Sequence, residues 1–300
     1  MPVHVGRGEH EYEWRDDWVT VPESDNGRTH GVEVTADGRV VVFHQSSPAV
    51  LVYDESGELL DSWGEYPGAH GLTLVETGDG PRLWLTDQES GAVVQTTLEG
   101  EVVRELPRPD QPAYDDGEFV PTWVADAGDG TVWVADGYGE SLVHRYDGDV
   151  VTATLYGTAG AGRFDCPHAV AVDRRGGGPE LYVADRGNER VQVFGLDGAF
   201  RRAFGRDAFT SPCSFATDGE TLVVPELFAR VTLLNGDDEV VAHLGENEAV
   251  CERDDWPNVP DDALEPGRFN SPHDAAVGPD GSVYVVEWVL DGRVTKLVPA

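Results

Sequence analysis

Near copies of one segment recur along the chain: GRFDCPHAVAV at 162–172, GRFNSPHDAAV at 267–277 and, more weakly, GEFVPTWVA at 117–125. Each copy is followed by a turn rich in glycine and aspartate and then by a β-branched or aromatic run, as in TVWVAD (131–136), ELYVAD (180–185) and SVYVVE (282–287). Strands this short, regularly spaced and without helical periodicity, indicate an all-β array. The repeat therefore limits the fold to architectures built from stacked β units.

Four strands in each repeat of about 45 residues predict an all-β six-bladed β-propeller, with 1–300 as a single domain. The interval before the last copy contains an insertion at about 246–266, which should form a long loop. Only three strands follow the last copy, so the N-terminal EYEWRDDWVTVP (11–22) should supply the fourth strand and close the ring. The residues that open the first strands of the six blades are His30, His70, Thr122, His168, Cys213 and His273.

Four of these six aligned positions are histidine in a chain with nine histidines. The first strand of each blade lines the channel of a propeller, so these side chains should converge at its mouth. Three neutral imidazoles suit Zn²⁺ or a similar cation and leave a position open for substrate. The predicted tripod, from alternate blades, is His70, His168 and His273. His30 should contact substrate or support the ligands, and Cys213 is either a soft ligand or a small apolar residue.

The ends of the second strands should lie near the same mouth, and two of them carry reactive side chains. Tyr138 of ADGY is a candidate base, because a phenol near a dication ionises more easily. Arg186 of ADR can bind a carboxylate through two hydrogen bonds. By contrast, Asp185 and Arg190 are typical turn and inter-blade residues of such repeats.

The chain is strongly acidic, with 56 acidic against 21 basic residues, a formal net charge of -35 and a single lysine, Lys296. This charge opposes binding to nucleic acid and to anionic membranes, and it favours a halophilic source over an ordinary acidic protein. No apolar run has the length of a membrane span or a signal-peptide core, and three scattered cysteines do not make a disulfide framework. We expect a soluble, cytoplasmic monomer that acts on a small-molecule or peptide-like substrate.

The stretch GRFDCPHAVAV followed by ELYVADRGNERVQVF resembles an NHL repeat, which specifies only the fold. A longer ordered series resembles peptidyl-α-hydroxyglycine α-amidating lyase from about residue 30 to the end. That series consists of HGLTL (70–74), PTWVA (121–125) with ADGYGES (135–141), PHAV with ADR (167–186) and PHDAAV (272–277).

The resemblance implies zinc bound by the three tripod histidines, Tyr138 as the base and Arg186 in the active site. It also implies a structural calcium held by Asp274 and by the main-chain carbonyls of Val32 and Leu72. The implied reaction breaks the C–N bond of an α-hydroxy-amide, or carbinolamide, to give an amide and glyoxylate or another aldehyde.

The chain departs from that family in three respects. Gln45 stands where the family has an arginine, Trp123 stands where it has an aspartate, and its disulfide cysteines are absent. Gln45 is thereby placed, with His30 and Cys213, among the predicted substrate-binding or supporting residues.

Two other functions fit the predicted fold. The first is a non-catalytic NHL-repeat propeller that binds a protein or ligand, although such a scaffold does not need converging imidazoles. The second is a calcium lactonase-like propeller, which requires Glu, Asn and Asp at positions where this chain has Thr122 and Cys213.

Overall fold

The computed structural model describes residues 2–22 and 27–300, and within them it contains twenty-five β-strands and no α-helix. The first strands are β1 (Val3–Arg7), β2 (His10–Arg15), β3 (Thr29–Val34), β4 (Val40–His44), β5 (Val50–Tyr53) and β6 (Leu59–Trp63). The middle strands are β7 (Ala69–Thr77), β8 (Gly80–Asp87), β9 (Ala92–Thr97), β10 (Val102–Glu105), β11 (Trp123–Asp126), β12 (Thr131–Asp136), β13 (Leu142–Asp147), β14 (Val150–Leu155), β15 (Pro167–Asp173), β16 (Glu180–Asp185), β17 (Arg190–Gly195) and β18 (Phe200–Phe204). The last are β19 (Ala216–Asp218), β20 (Thr221–Glu226), β21 (Arg230–Leu234), β22 (Val240–Leu244), β23 (Pro272–Val277), β24 (Val283–Glu287) and β25 (Arg293–Pro299).

These strands form six antiparallel sheets, of which five have four strands and the last has five. The sheets follow one another along the chain as the blades of the predicted all-β six-bladed β-propeller, which is confirmed. Short 3-10 helices occupy Pro112–Tyr114, Arg186–Asn188, Glu248–Glu252 and Asp261–Ala263. Among the described residues, none of these helices is long or apolar enough to span a membrane.

The chain divides into two compact units, so the single domain over 1–300 stays a prediction. The middle unit is Pro67–Pro212 and contains β7 to β18, the second to fourth blades. The terminal unit combines Met1–Tyr66 with Cys213–Ala300 and contains the first, fifth and sixth blades. Each unit has its own apolar core, where side chains of neighbouring sheets interlock, as Trp84 and Val132 do in the middle unit and Val231 and Val285 in the terminal unit.

The predicted N-terminal strand is confirmed within the terminal unit. Strand β2 pairs with β25, with Trp14 opposite Leu297. Tyr12 and Trp14 are buried, Glu13 between them is partly exposed, and Glu11 and Arg15 on either side are exposed, which is the alternation of a strand with one covered face. Trp14 packs on Phe269, with ring centroids 4.6 Å apart. Strand β1 then adds a fifth strand that the repeat does not predict.

The insertion before β23 is a long loop, as predicted. It carries two short 3-10 helices and packs an apolar cluster against the end of the fifth blade. Val250 and Val259 are its buried members, and Trp256 lies beside them.

The predicted register of the first strands agrees with the structure in four blades, where the histidines lie within β3, β7, β15 and β23. Thr122 and Cys213 instead lie just before β11 and β19. Both still use that register, because the Thr122 N–H donates to the Ala135 carbonyl at 2.8 Å and the Cys213 N–H to the Pro225 carbonyl at 2.9 Å. Each of these two residues is thus hydrogen-bonded to the second strand of its own blade, just ahead of the first strand.

Acidic residues that end second strands hold the loops beside them. Arg190 bonds Asp185 at 2.7 Å, Arg230 bonds Glu226 at 2.8 Å, and Arg293 bonds Glu287. All three carboxylates are fully buried, so each needs its guanidinium partner. The structural interpretation of Asp185 and Arg190 is therefore confirmed.

Candidate active site

Two of the predicted metal-ligand histidines lie together in the middle unit. His70 on β7 and His168 on β15 are both fully buried, and their ring centroids are 4.8 Å apart. They meet because they occupy equivalent positions on the first strands of blades two and four, and β11 between them contacts both strands. The repeat register thus brings side chains separated by 98 positions in sequence into contact.

A backbone hydrogen bond fixes the proton of His70. Its Nδ1 lies 2.9 Å from the Thr122 carbonyl oxygen. A carbonyl only accepts, so Nδ1 carries a proton, and in the neutral ring Nε2 then presents a lone pair. Histidines that ligate metals commonly donate their second ring N–H in this way.

Tyr138 bridges the two imidazoles. Its hydroxyl lies 3.1 Å from Nε2 of His70 and 3.0 Å from Nε2 of His168. The Arg186 Nη2 donates to the same oxygen at 3.3 Å, and the guanidinium lies over the phenol ring, 5.3 Å from its centroid. The side chain of Tyr138 is 40% exposed, so a molecule from solvent can reach this hydroxyl.

The loop that carries Tyr138 is fixed from both sides. Asp136, at the end of β12, accepts hydrogen bonds from the Val120 and Glu140 N–H groups, each at 2.7 Å. The Gly137 N–H donates to the Thr122 hydroxyl at 3.2 Å. A side chain at Gly139 would place its Cβ 2.2 Å from the Asp136 carboxylate, so only glycine fits there. The phenol therefore projects from an ordered turn.

A buried polar network supports Asp136, and the sequence analysis missed it. The Tyr114 hydroxyl donates to the Asp136 carboxylate at 2.8 Å and lies 2.6 Å from Nε2 of His144. The other ring nitrogen of His144, Nδ1, lies 3.0 Å from the Thr154 hydroxyl, which is the last member of this hydrogen-bond network. Tyr114 lies between β10 and β11, outside the repeat register. The sequence therefore showed only an aromatic residue between two blades and gave no indication of its contact with Asp136.

Burial lowers the pKa of His144 to about 4, so the folded protein keeps this imidazole neutral. An unfolded histidine titrates near 6.5, and the unfolded state therefore binds more protons between pH 6.5 and 4. The free energy of unfolding should fall as the pH falls through this window, by up to about 1.4 kcal/mol per pH unit for this one group.

His144→Gln should remove that part of the pH dependence, because glutamine does not titrate. Glutamine should also fit the fold, since Gln192 occupies the equivalent position of the next blade. Urea unfolding at several pH values between 7 and 4 measures the slope. An identical slope in the variant and the wild type would show that His144 does not cause it.

Two more residues shape the surroundings of the bridge. The Trp123 ring packs edge-on against His70, with centroids 6.2 Å apart, and also lies 6.2 Å from His168. Cys166 places its sulfur 3.3 Å from Nη2 of Arg186, and burial raises the pKa of this thiol. Trp123 directly follows the register residue Thr122, and Cys166 directly precedes the PH pair of the repeat.

The terminal unit contains a second pair of register histidines, His30 and His273. Both are buried, and their ring centroids are 4.7 Å apart. His273 Nδ1 lies 2.7 Å from the His30 carbonyl oxygen, so its Nε2 presents a lone pair, as in His70. Burial, followed by the neighbouring His273, lowers the pKa of His30 well below its usual value, which keeps that ring neutral.

Asp274 is also buried in the terminal unit. Its carboxylate accepts the N–H groups of Val32 at 2.9 Å and Ala275 at 2.8 Å. Burial raises its pKa well above the usual value. Among the described residues it has no ion-pair partner, so a bound cation would suit it.

The other predicted residues have these positions. Leu72 lies buried on β7 in the middle unit. Cys213 is fully buried, and Gln45 is partly buried, with its N–H bonded to the Arg28 carbonyl at 2.9 Å. Their roles stay predictions.

The donor set of the register histidines suits a borderline dication. His70 and His273 each have Nδ1 bonded to a carbonyl and Nε2 available as a ligand atom. Neutral imidazoles with this arrangement are the usual protein ligands of Zn²⁺. The residues therefore fit the metal, and the hydroxyl of Tyr138 lies within hydrogen-bond distance of Nε2 of His70 and of His168.

Six consecutive antiparallel sheets define the protein as a six-bladed β-propeller. A solved streptogramin B lyase shares this fold, with a TM-score of 0.61 at 14% identity, covering 97% of this chain and 99% of that one. The NHL repeat model matches residues 164–194, which include β15, β16 and β17.

Related sequences identify the family. NHL repeat-containing protein 3 from Mus musculus is 30% identical over 72% of this chain and 67% of its own length. The Homo sapiens protein of the same name is 30% identical over 70% of this chain. The chain therefore belongs to the family of NHL repeat-containing proteins.

A lyase is also similar to the chain. Peptidyl-alpha-hydroxyglycine alpha-amidating lyase 1 from Drosophila melanogaster is 27% identical over 85% of this chain. The chain spans 65% of the human relative and 49% of the fly lyase, so it matches only part of each.

Proposed function

We propose that this protein is a metal-dependent carbon–nitrogen lyase that cleaves a carbinolamide into an amide and an aldehyde. The observation that carries the proposal is the Tyr138 hydroxyl, held between Nε2 of His70 and Nε2 of His168. A scaffold has no use for a solvent-accessible phenol bonded to two buried imidazoles. The similarity to an amidating lyase supports the same reaction class.

The reaction needs one base and no oxidant. Tyr138, as the phenolate, accepts the proton of the carbinol hydroxyl. The C–O bond becomes a carbonyl, the C–N bond breaks, and its electron pair goes to the nitrogen. Tyr138 then returns the proton to that nitrogen, which gives the amide and the aldehyde without consuming water.

Arg186 has two tasks in this scheme. Its guanidinium donates to the Tyr138 oxygen at 3.3 Å, so it stabilises the phenolate form that accepts the proton. Its position over the phenol ring also fixes the direction in which that oxygen points. Cys166, in contact with Nη2, helps to hold the guanidinium there.

We assign the metal to His70, His168 and His273. Their common register supports this, because the first strands of a propeller line one channel. A bound Zn²⁺ would act as a Lewis acid that lowers the pKa of a hydroxyl beside it. We also assign a structural calcium to Asp274 with the Val32 and Leu72 carbonyls, since the buried Asp274 carboxylate has no ion-pair partner in the part of the chain that the structure describes.

The test is glyoxylate release from α-hydroxyhippurate by the zinc-loaded protein, in buffers of low and of molar salt because of the charge of -35. Glyoxylate and benzamide should appear in equal amounts, stop after chelation and resume when zinc is restored. Zinc-loaded, folded protein that releases neither product from this substrate or from a peptidyl-α-hydroxyglycine would overturn the proposed function.

A further inference from the structure

The third blade holds the end of its second strand without the arginine that three other blades use. In those blades the acid that ends the second strand faces an arginine that begins the third strand: Asp185 with Arg190, Glu226 with Arg230 and Glu287 with Arg293. In the third blade Asp136 faces Leu142. Asp136 is nevertheless fully buried, so its carboxylate needs other hydrogen-bond donors.

Side chains from outside that position supply a donor in the third blade. The Tyr114 hydroxyl donates to Asp136 and contacts His144, as described above. Lack of the arginine does not by itself require such a pair, because Asp87 of the second blade faces Ala92. The Asp87 carboxylate accepts main-chain N–H groups, those of Gly68, Glu89 and Ser90. The tyrosine and histidine are thus a feature of the blade whose loop carries Tyr138.

The hydrogen bonds of this network all point toward Asp136 while its carboxylate is ionised. Tyr114 uses its one hydroxyl proton for the carboxylate at 2.8 Å, so Nε2 of His144, 2.6 Å away, must carry a proton and donate it to the Tyr114 oxygen. Nδ1 of the neutral imidazole then accepts from the Thr154 hydroxyl at 3.0 Å. A directed series of neutral donors therefore ends at the carboxylate.

The Asp136 carboxylate in turn holds two segments of the candidate site. Its Oδ2 accepts the Glu140 N–H at 2.7 Å and so closes the turn in which Tyr138 lies. Its Oδ1 accepts the Val120 N–H at 2.7 Å. Val120 lies two residues before Thr122, whose carbonyl fixes the proton of the histidine on β7. One carboxylate thus supports both the phenol and an imidazole that the phenol contacts.

The charge of Asp136 depends on these donors. Burial raises the pKa of Asp136, and the hydrogen bonds from Val120, Tyr114 and Glu140 oppose that rise. Loss of the Tyr114 hydroxyl would therefore favour the protonated acid. A neutral acid accepts the Glu140 N–H more weakly than a carboxylate does, so the turn should loosen.

We propose that Tyr114 is a positioning residue for the base of the reaction: its hydroxyl, held by His144, keeps the Asp136 carboxylate where it fixes Tyr138 between the two imidazoles. This rests on the proposed function, since it concerns how the base of that reaction is held. The neutral donors also add no positive charge to the blade whose loop reaches these imidazoles, where a further cation would oppose the binding of a dication.

Tyr114→Phe tests this, because it removes the hydroxyl and keeps the ring, which packs 5.7 Å from the Phe119 ring. In the zinc-loaded protein, kcat for glyoxylate release should fall by about 10- to 100-fold, the cost of a hydrogen bond to a charged group expressed in the position of the base. KM and zinc content should stay those of the wild type. A merely structural role would lower the thermal midpoint and leave kcat of the folded protein unchanged.

Tyr146→Phe is the matched control. Tyr146 is buried in the same apolar cluster as Tyr114, and its hydroxyl donates to the Pro107 carbonyl at 2.9 Å instead of to Asp136. The control variant should lose stability and keep its kcat. Amide hydrogen exchange of Glu140, followed by NMR, reports the Asp136 contact without turnover, and it should be about 10-fold or more faster in Tyr114→Phe than in Tyr146→Phe.

The outcomes separate this inference from the proposed function. Equal Glu140 exchange in Tyr114→Phe and Tyr146→Phe, or equal kcat in the two variants of an active enzyme, would overturn the role of Tyr114. If the wild type releases no glyoxylate, faster Glu140 exchange in Tyr114→Phe still supports the positioning of the turn, and only the reaction is wrong.

Thr154→Val decides if Tyr114→Phe does not fold, as judged by its thermal melt. Thr154 is partly buried on β14, at the far end of the network. Without its hydroxyl, Nδ1 of His144 is no longer held as an acceptor, and Nε2 can compete with Asp136 for the Tyr114 proton. Glu140 exchange should then become faster than in the wild type, and an unchanged rate would overturn the proposal.

Discussion

Tyr138→Phe is expected to lower kcat for glyoxylate release by about 10²- to 10⁴-fold, the usual contribution of a positioned acid–base group. The variant removes only the oxygen that lies between His70 and His168 and beside Arg186. The phenyl ring can keep its contact with the guanidinium, so the loop should stay folded. Zinc content and thermal stability should therefore match those of the wild type, while KM changes little.

Tyr156→Phe is the matched control, because Tyr156 lies in the same unit and is 41% exposed against 40% for Tyr138. It should retain wild-type activity. A Tyr138→Phe enzyme with kcat within about 10-fold of the wild type would show that another group takes the carbinol proton.

His168→Ala is expected to lose zinc and with it nearly all activity. Replacing a residue that merely supports a metal ligand costs about 10- to 100-fold in metal affinity, so loss of a ligand should cost at least that much. Elemental analysis after dialysis should find zinc well below one equivalent, and His70→Ala should behave alike. Calcium should remain in both variants and be lost in Asp274→Asn.

His144→Ala controls for the removal of a buried imidazole. His144 lies on β13, the third strand of its blade, where its ring nitrogens contact the Tyr114 and Thr154 hydroxyls, and it is not one of the proposed ligands. This variant should be less stable yet keep its zinc. Full zinc occupancy in His168→Ala would remove that residue from the site.

The fold was predictable because local strand signals and a long-range repeat agree. ELYVAD at 180–185 coincides with β16, and TVWVAD at 131–136 coincides with β12. The extra strand β1 could not be predicted, since VHVGR carries no repeat and is a strand only because it pairs with β2. A lone five-residue segment has no signal that separates it from a loop.

The residues of the candidate site were likewise predictable where they belong to the repeat register and not where they lie outside it. Register alone predicted that His70, His168 and Tyr138 belong together, and their contacts in the middle unit agree with it. Tyr114 falls outside the register, and its contact with His144 joins residues that are 30 positions apart in sequence. Such contacts depend on how loops pack, which a single sequence does not encode in any local pattern.

The zinc-to-protein ratio of the wild-type chain, purified without added metal and dialysed, tests the central claim most directly. The histidine site predicts about one zinc per chain, bound firmly enough to survive dialysis. Folded wild-type protein that is free of zinc and takes up none when it is supplied would contradict the account.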